Sequence, residues 1–157
     1  MEAIQIKLVE KGGKLREQSE KHYVSNQGVF YQSHVQTYGW QGWRQNGAQA
    51  GSIGQAKRLE AIQIKLTGAL AEKYDVYYRV HCQTYGWMGW AKNGDPAGTT
   101  GHAKRLEAIQ IVLRAKGTGA PSASSQRRMS VVQCHSNYIK LEKQEILLRK
   151  RSSIFYA

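Results

Sequence analysis

Acidic side chains are in short supply: 11 Asp and Glu face 23 Lys and Arg, for a formal charge of +12 over 157 residues. A deficit of that size signals nucleic acid only if it is spread over the patterned part of the chain. It is not. Residues 1–113 hold 14 basic against 9 acidic residues, while the short stretch 114–157 holds 9 against 2. The basicity belongs to the tail, and no nucleic-acid partner is expected. Cysteine is nearly missing too: Cys82 and Cys134 make no disulfide framework and say little about the redox compartment. The five histidines are scattered without ligand spacing, so neither a metal nor another cofactor is expected. No run of about 18 apolar residues occurs, which speaks against a membrane-spanning helix. No secretion signal opens the chain.

What the chain does have is a repeat. Gln-Thr-Tyr-Gly-Trp-Gln-Gly-Trp at residues 36–43 returns as Gln-Thr-Tyr-Gly-Trp-Met-Gly-Trp at residues 83–90, and these two stretches hold all 4 tryptophans. Residues 29–66 lie over 76–113 without a gap, which gives a period of 47 residues. Residues 1–8 repeat the closing segment of both units, with Met1 where they carry Leu59 and Leu106. The chain therefore opens on the last strand of a truncated repeat. We read that start as an internal or fragment boundary, with any secretion signal upstream of it.

Each full unit reads as three strands. Residues 29–36 and 76–83 are rich in Val, Tyr and Phe, and their alternation puts Val29, Tyr31, Ser33 and Val35 on one face, with Val76, Tyr78, Val80 and Cys82 as counterparts. That face is the expected core, and Cys82, standing where the other copy has Val35, is read as a small apolar filler. Phe30, Gln32, His34 and Gln36 take the outer face, as do Tyr77, Arg79, His81 and Gln83. The second strand carries the tryptophans into Asn46-Gly47 or Asn93-Gly94, a pair suited to a tight hairpin. A glycine-rich passage follows, and then a closing strand in which Ile62, Ile64 and Leu66 alternate with Gln63 and Lys65. Around the units lie a linker at 9–28, a joint at 67–75, and a linker and basic tail at 114–157. In the tail Asn137 is positioned to cap a short helix reaching about Arg151.

Candidate functional residues cluster on the outer face. Trp40 and Trp43 are an odd number of residues apart, so an extended strand points them to opposite faces unless Gly42 bends it. One reading makes all four tryptophans hydrophobic cement between strands. The other assigns Trp40 and Trp87 to structure and offers Trp43 and Trp90 as flat platforms for a sugar ring or a partner's side chain. His34, Gln36, His81 and Gln83 would then bind hydroxyls. Alternation places Glu60 and Glu107 on the face of Ile62 and Ile109, where a carboxylate needs a partner; a structural pairing with Arg58, Arg105 or loop amides is expected. One carboxylate per unit, with no second acid and no nucleophile beside a base, gives no catalytic residue and no enzyme.

The order Tyr-Arg-Val-His-x-Gln-x-x-Gly-Trp-x-x-Trp, then Asn-Gly, Ala-Gly-Thr-x-Gly and Lys-Arg-Leu-Glu-Ala-Ile-x-Ile-x-Leu, closely resembles the ChW repeat, the clostridial hydrophobic repeat named for its tryptophan. The resemblance covers 29–66, 76–113 and the truncated 1–8; the tail has no counterpart. It implies a non-catalytic module of a secreted or surface-attached protein of a Gram-positive bacterium, with repeats often in groups of three beside cell-wall hydrolase or adhesion modules. The expected partner is a cell-wall polysaccharide, and the alternative is a host or surface protein bound, or merely spaced, by an adhesin. The expected fold is all-β, with one small antiparallel sheet per repeat in a pseudo-threefold, prism-like body, or alternatively a β-trefoil. Residues 1–8 keep an apolar face, so the strand is expected either to add to a neighbouring sheet or to fray, and its open edge to promote self-association.

Overall fold

The computed structural model describes residues 1–9, 28–122, 131–133 and 138–142, and the fold is all-β. The strands run β1 (Ala3–Val9), β2 (Gly28–Val35), β3 (Gly39–Trp40), β4 (Arg44–Gln45), β5 (Ala50–Gly51) and β6 (Leu59–Thr67). After the short helix α1 (Ala69–Lys73) the pattern returns as β7 (Tyr74–Cys82), β8 (Gly86–Trp87), β9 (Ala91–Lys92), β10 (Ala97–Gly98) and β11 (Leu106–Ala115). Two tail strands follow, β12 (Val131–Gln133) and β13 (Tyr138–Glu142). Among the described residues no helix is long and apolar enough to cross a membrane, and no barrel closes among the three sheets.

The frame of each unit is one long antiparallel pair, β2 with β6 and β7 with β11. Alternation works as the sequence dictates. Val29, Tyr31, Ser33 and Val35 are fully buried, as are Val76, Tyr78, Val80 and Cys82. Opposite them Tyr31 faces Ile64 and Ser33 faces Ile62. These apolar faces and those of Ile4 and Ile6 merge into one core, so no repeat buries its own face alone. Cys82 is a free thiol inside it, with its pKa pushed up by burial.

The tryptophan stretch departs from a single second strand. It forms two separate two-residue strands, β3 and β4, which both fold back onto β2 with Trp43 in the loop between them. Positive φ at Thr37 (72°) and Gly39 (73°), repeated at Thr84 (76°) and Gly86 (72°), produces the tight turn that leads into them. A repeat thus has five strands where the sequence reads as three.

The Asn-Gly pair does form a turn, with φ of 49° at Asn93 and 106° at Gly94, but not a hairpin, since β9 pairs with β7 and β10 with β6. The asparagine also works sideways: Asn93 Oδ1 accepts from the Val76 N–H at 3.0 Å, and Asn46 Oδ1 from that of Val29 at 3.3 Å. Asp75 fastens the same corner. It accepts from the Gly117 N–H at 3.0 Å and from Asn93 Nδ2 at 2.8 Å, and these bonds hold its carboxyl below the usual range.

The turn is clamped from within the core by the Tyr78 hydroxyl, which donates to the Asp95 carbonyl. Burial pushes the Tyr78 phenol up to about 12. Between the ordinary tyrosine pKa of about 10 and that value, the unfolded chain has released a proton that the folded chain still holds, so stability falls as pH rises. Tyr78→Phe is expected to cost about 1–2 kcal/mol at pH 7 and to flatten this alkaline loss, as followed by urea midpoints from pH 9 upward. An unchanged alkaline slope in the variant would exclude Tyr78 as its source.

The units interlock through their glycine strands. β5 pairs antiparallel with β1, Gly51 opposite Ala3 and Ala50 opposite Ile4. β10 pairs with β6 in the same register, Gly98 opposite Ala61 and Ala97 opposite Ile62. The flanking bonds match as well: the Ser52 N–H reaches the Glu2 carbonyl at 2.9 Å and the Thr99 N–H the Glu60 carbonyl at 2.8 Å. Residues 1–8 therefore do not fray. β1 carries β5 on one edge and β13, in parallel, on the other, which fills the open edge behind the expected self-association.

The tail also departs from its reading. The helix expected from Asn137 is replaced over Tyr138–Glu142 by β13, where Ile139 and Leu141 alternate with Lys140 and Glu142 at the two-residue period of a strand. The remainder of that helix, and most of the 9–28 linker, lie outside the described residues.

Candidate functional site

On each unit the outer face of the long strand pair collects the tryptophans, a histidine, a glutamate and cations. Register explains the collection. Trp40 lies opposite His34 on β2, and Trp87 opposite His81 on β7, so each indole shares a face with a residue that points away from the core. The rings meet edge to face at 5.4 Å in the first unit and 5.5 Å in the second.

None of the tryptophans lies in the core. Trp40 is 38% exposed, Trp43 37% and Trp87 38%, with Trp90 half-buried. The sequence assigns Trp40 and Trp87 to structure and only Trp43 and Trp90 to the surface; in burial the two members of the first pair are alike. Alternation fails because the register on β2 slips between them: Trp40 lies opposite His34 and Arg44 opposite Tyr31, so residues 41–43 face only residues 32–33.

Glu60 sits behind His34 through a β-bulge. Pairing of β2 with β6 jumps from His34–Ala61 to Val35–Leu59, so Glu60 has no cross-strand partner. The extra residue moves its carboxylate off the face of Ile62 and onto that of His34. There Arg58 Nη2 lies 2.9 Å from Oε1, with a second bond from Nε at 3.0 Å, and His34 Nδ1 lies 3.3 Å from Oε2. The histidine contact is close in distance but too skewed for a good hydrogen bond. The second unit repeats the set, with Arg105 at 3.1 Å and His81 at 3.2 Å from Glu107. Each carboxylate thus lies against the imidazole that meets the indole edge.

Between the two indoles the units differ. In the second, Arg79 lies over both, 5.1 Å from the Trp87 ring and 4.8 Å from the Trp90 ring, and its Nε donates to Gln110 Oε1 at 2.7 Å. The first unit has Gln32 at that position, bonded to Gln63, and Lys65 covers Trp43 at 4.1 Å. Gln32, Gln63, Lys65, Arg79 and Gln110 were not singled out from the sequence, although alternation already placed Arg79 beside His81. Gln36 and Gln83, expected on the outer face, open the turns just past β2 and β7, where their N–H groups bond the Arg58 and Arg105 carbonyls.

The second unit also holds a cleft of about 390 Å³ lined by Tyr85, Met88, Gly98, Thr99, Thr100 and His102. Tyr85 and its counterpart Tyr38 are among the most exposed large side chains of the described residues. Their recurrence in Gln-Thr-Tyr-Gly-Trp was the available signal. Among the described residues no group of His, Cys, Asp and Glu gathers as a metal site.

The family model described as ChW, Clostridial hydrophobic W, matches residues 34–68 and 81–115. No curated protein and no solved structure matches the chain.

Proposed function

We propose, for a chain that belongs to the ChW family through two tandem repeats, a non-catalytic role in which the tryptophan face binds carbohydrate, as part of a secreted or cell-surface protein, with a cell-wall polymer as the partner. The observation that carries this reading is the first unit's exposed pair, Trp40 and Trp43, standing beside His34 and the Gln32–Gln63 amide pair. A sugar ring presents an apolar C–H face to an indole and hydroxyls to amides and imidazole, and this surface supplies all three kinds of group. Lys65 adds a cation beside Trp43, whereas the charge of Arg58 is taken up by Glu60.

The two repeats are not equal platforms under this reading. Arg79 lies across both indoles of the second unit, whereas in the first Lys65 covers Trp43 alone and Gln32 takes the place of the guanidinium. Replacing Trp40 and Trp43 together by Ala is therefore expected to lower retention on purified wall polysaccharide at least about tenfold, while the matching pair in the second unit costs less; loss of one stacked aromatic is worth about 1–3 kcal/mol by analogy with base stacking. Co-sedimentation with wall polysaccharide and with peptidoglycan, each against a bare-matrix control, provides the measurement. No retention of the intact chain on either polymer, with capture of a surface protein instead, would replace this reading by the protein-binding one.

A further inference from the structure

The glycine strands define a socket that occurs three times and is filled twice by a glycine. On β1 the residues Ala3 and Ile4 receive Gly51 and Ala50, and on β6 Ala61 and Ile62 receive Gly98 and Ala97. The equivalent residues of β11 are Ala108 and Ile109, and what pairs with them is the tail strand β12, with Gln133 opposite Ala108 and Val132 opposite Ile109. Direction and register are those of a glycine strand. The residue types are not. In both repeat junctions a Cβ at the glycine would stand 2.4 Å from the backbone oxygen of Glu2 or Glu60, so a residue with a side chain cannot take the glycine's backbone conformation at that register. β12 therefore occupies the socket without the Ala-Gly pair that fills the other two.

We infer that the edge of β11 at residues 107–109 is a docking site for the Ala-Gly-Thr strand of a further repeat of this kind on a partner chain, and that β12 covers it until such a strand displaces it. The chemistry of the partner follows from the two filled sockets: an extended strand with Ala and Gly in successive positions, Gly opposite Ala108, followed by Ser or Thr whose N–H reaches the carbonyl of the bulged glutamate. Backbone hydrogen bonds supply the attraction, and the absence of a Cβ at one position supplies the selection.

The probe is a fluorescent peptide with the sequence of residues 91–103, titrated into the full-length chain and followed by anisotropy. Val132→Pro removes a strand N–H from β12 and is expected to tighten peptide binding about tenfold; Gln133→Gly gives the tail the residue that fits and is expected to weaken it several-fold. A peptide in which the Gly98 counterpart is Val should not bind. The Gln133→Gly arm, compared with the unaltered chain, keeps the test decisive if Val132→Pro fails to melt cooperatively. Binding of the valine peptide as tight as the glycine one, or no response of affinity to either tail variant, overturns the inference. So does a Val132→Pro chain that dimerises and ignores the peptide, because the edge would then belong to a second copy.

Discussion

Replacing Gly98 by Ala is expected to destabilise the fold by about 2–5 kcal/mol in urea unfolding, one of the two largest effects predicted for a single side chain. Two costs combine. Gly98 has φ of +125°, outside the range L side chains prefer, and a Cβ there would lie 2.4 Å from the Glu60 oxygen and 2.6 Å from the Ala61 Cα. Both neighbours are backbone within a paired strand, so relief requires prising β10 off β6. Gly51 is built alike, with φ of +110° and a would-be Cβ 2.4 Å from the Glu2 oxygen. Gly101 is the control: its φ is +77°, yet nothing lies within 4 Å of its Cβ position. Gly101→Ala should carry only the conformational cost, about 1–2 kcal/mol. Equal losses at Gly98 and Gly101 would show that close approach between repeats contributes nothing measurable.

Glu60→Ala is the second large effect, expected at about 2–4 kcal/mol, whereas Glu107→Ala should cost less than about 1 kcal/mol. The residues occupy equivalent positions and hold equivalent partners, so the difference rests on solvent. The Glu60 side chain is 6% exposed and that of Glu107 is 33% exposed. Removing the first leaves Arg58 and His34 without their carboxylate on a largely dry face; that Arg58 can turn partly toward water keeps the figure below the full cost of a buried orphan charge. Removing the second breaks an ion pair that water already screens. Thermal melts of the two variants side by side check this, and a Glu107 variant as damaged as the Glu60 variant would mean that burial does not set the cost.

Much of this architecture is legible in the sequence because it is local. The period is written in the tryptophans, the core face in the alternation from Val29 to Val35, and the turn in Asn46-Gly47. What resists reading is what the pairing of distant strands decides. Glu60 falls on the face of Ile62 under strict alternation, and only the bulge opposite His34 and Val35 moves it to the other side. Trp40 and Trp43 resemble two positions of one strand, and only pairing with β2 shows the run broken at residues 41–43. Nothing near Gly51 or Gly98 in the sequence says that these glycines face another repeat's backbone. The tail segment Tyr138–Glu142 carries both a helix cap before it and a strand alternation within it, and the choice went to the strand through pairing with β1, more than 100 residues away.

The one-way fit of each glycine strand onto the closing strand before it has a consequence for synthesis. β1 precedes β5, and β6 precedes β10, so when a repeat's glycine strand leaves the ribosome its receiving edge has already been made. Each junction can close as the chain emerges, without waiting for sequence still to come. An array assembled in this order leaves the receiving edge of its newest closing strand bare only for the time needed to translate the next half-repeat, roughly a few seconds at 5–20 residues per second, whereas the second edge of β1 waits for β13.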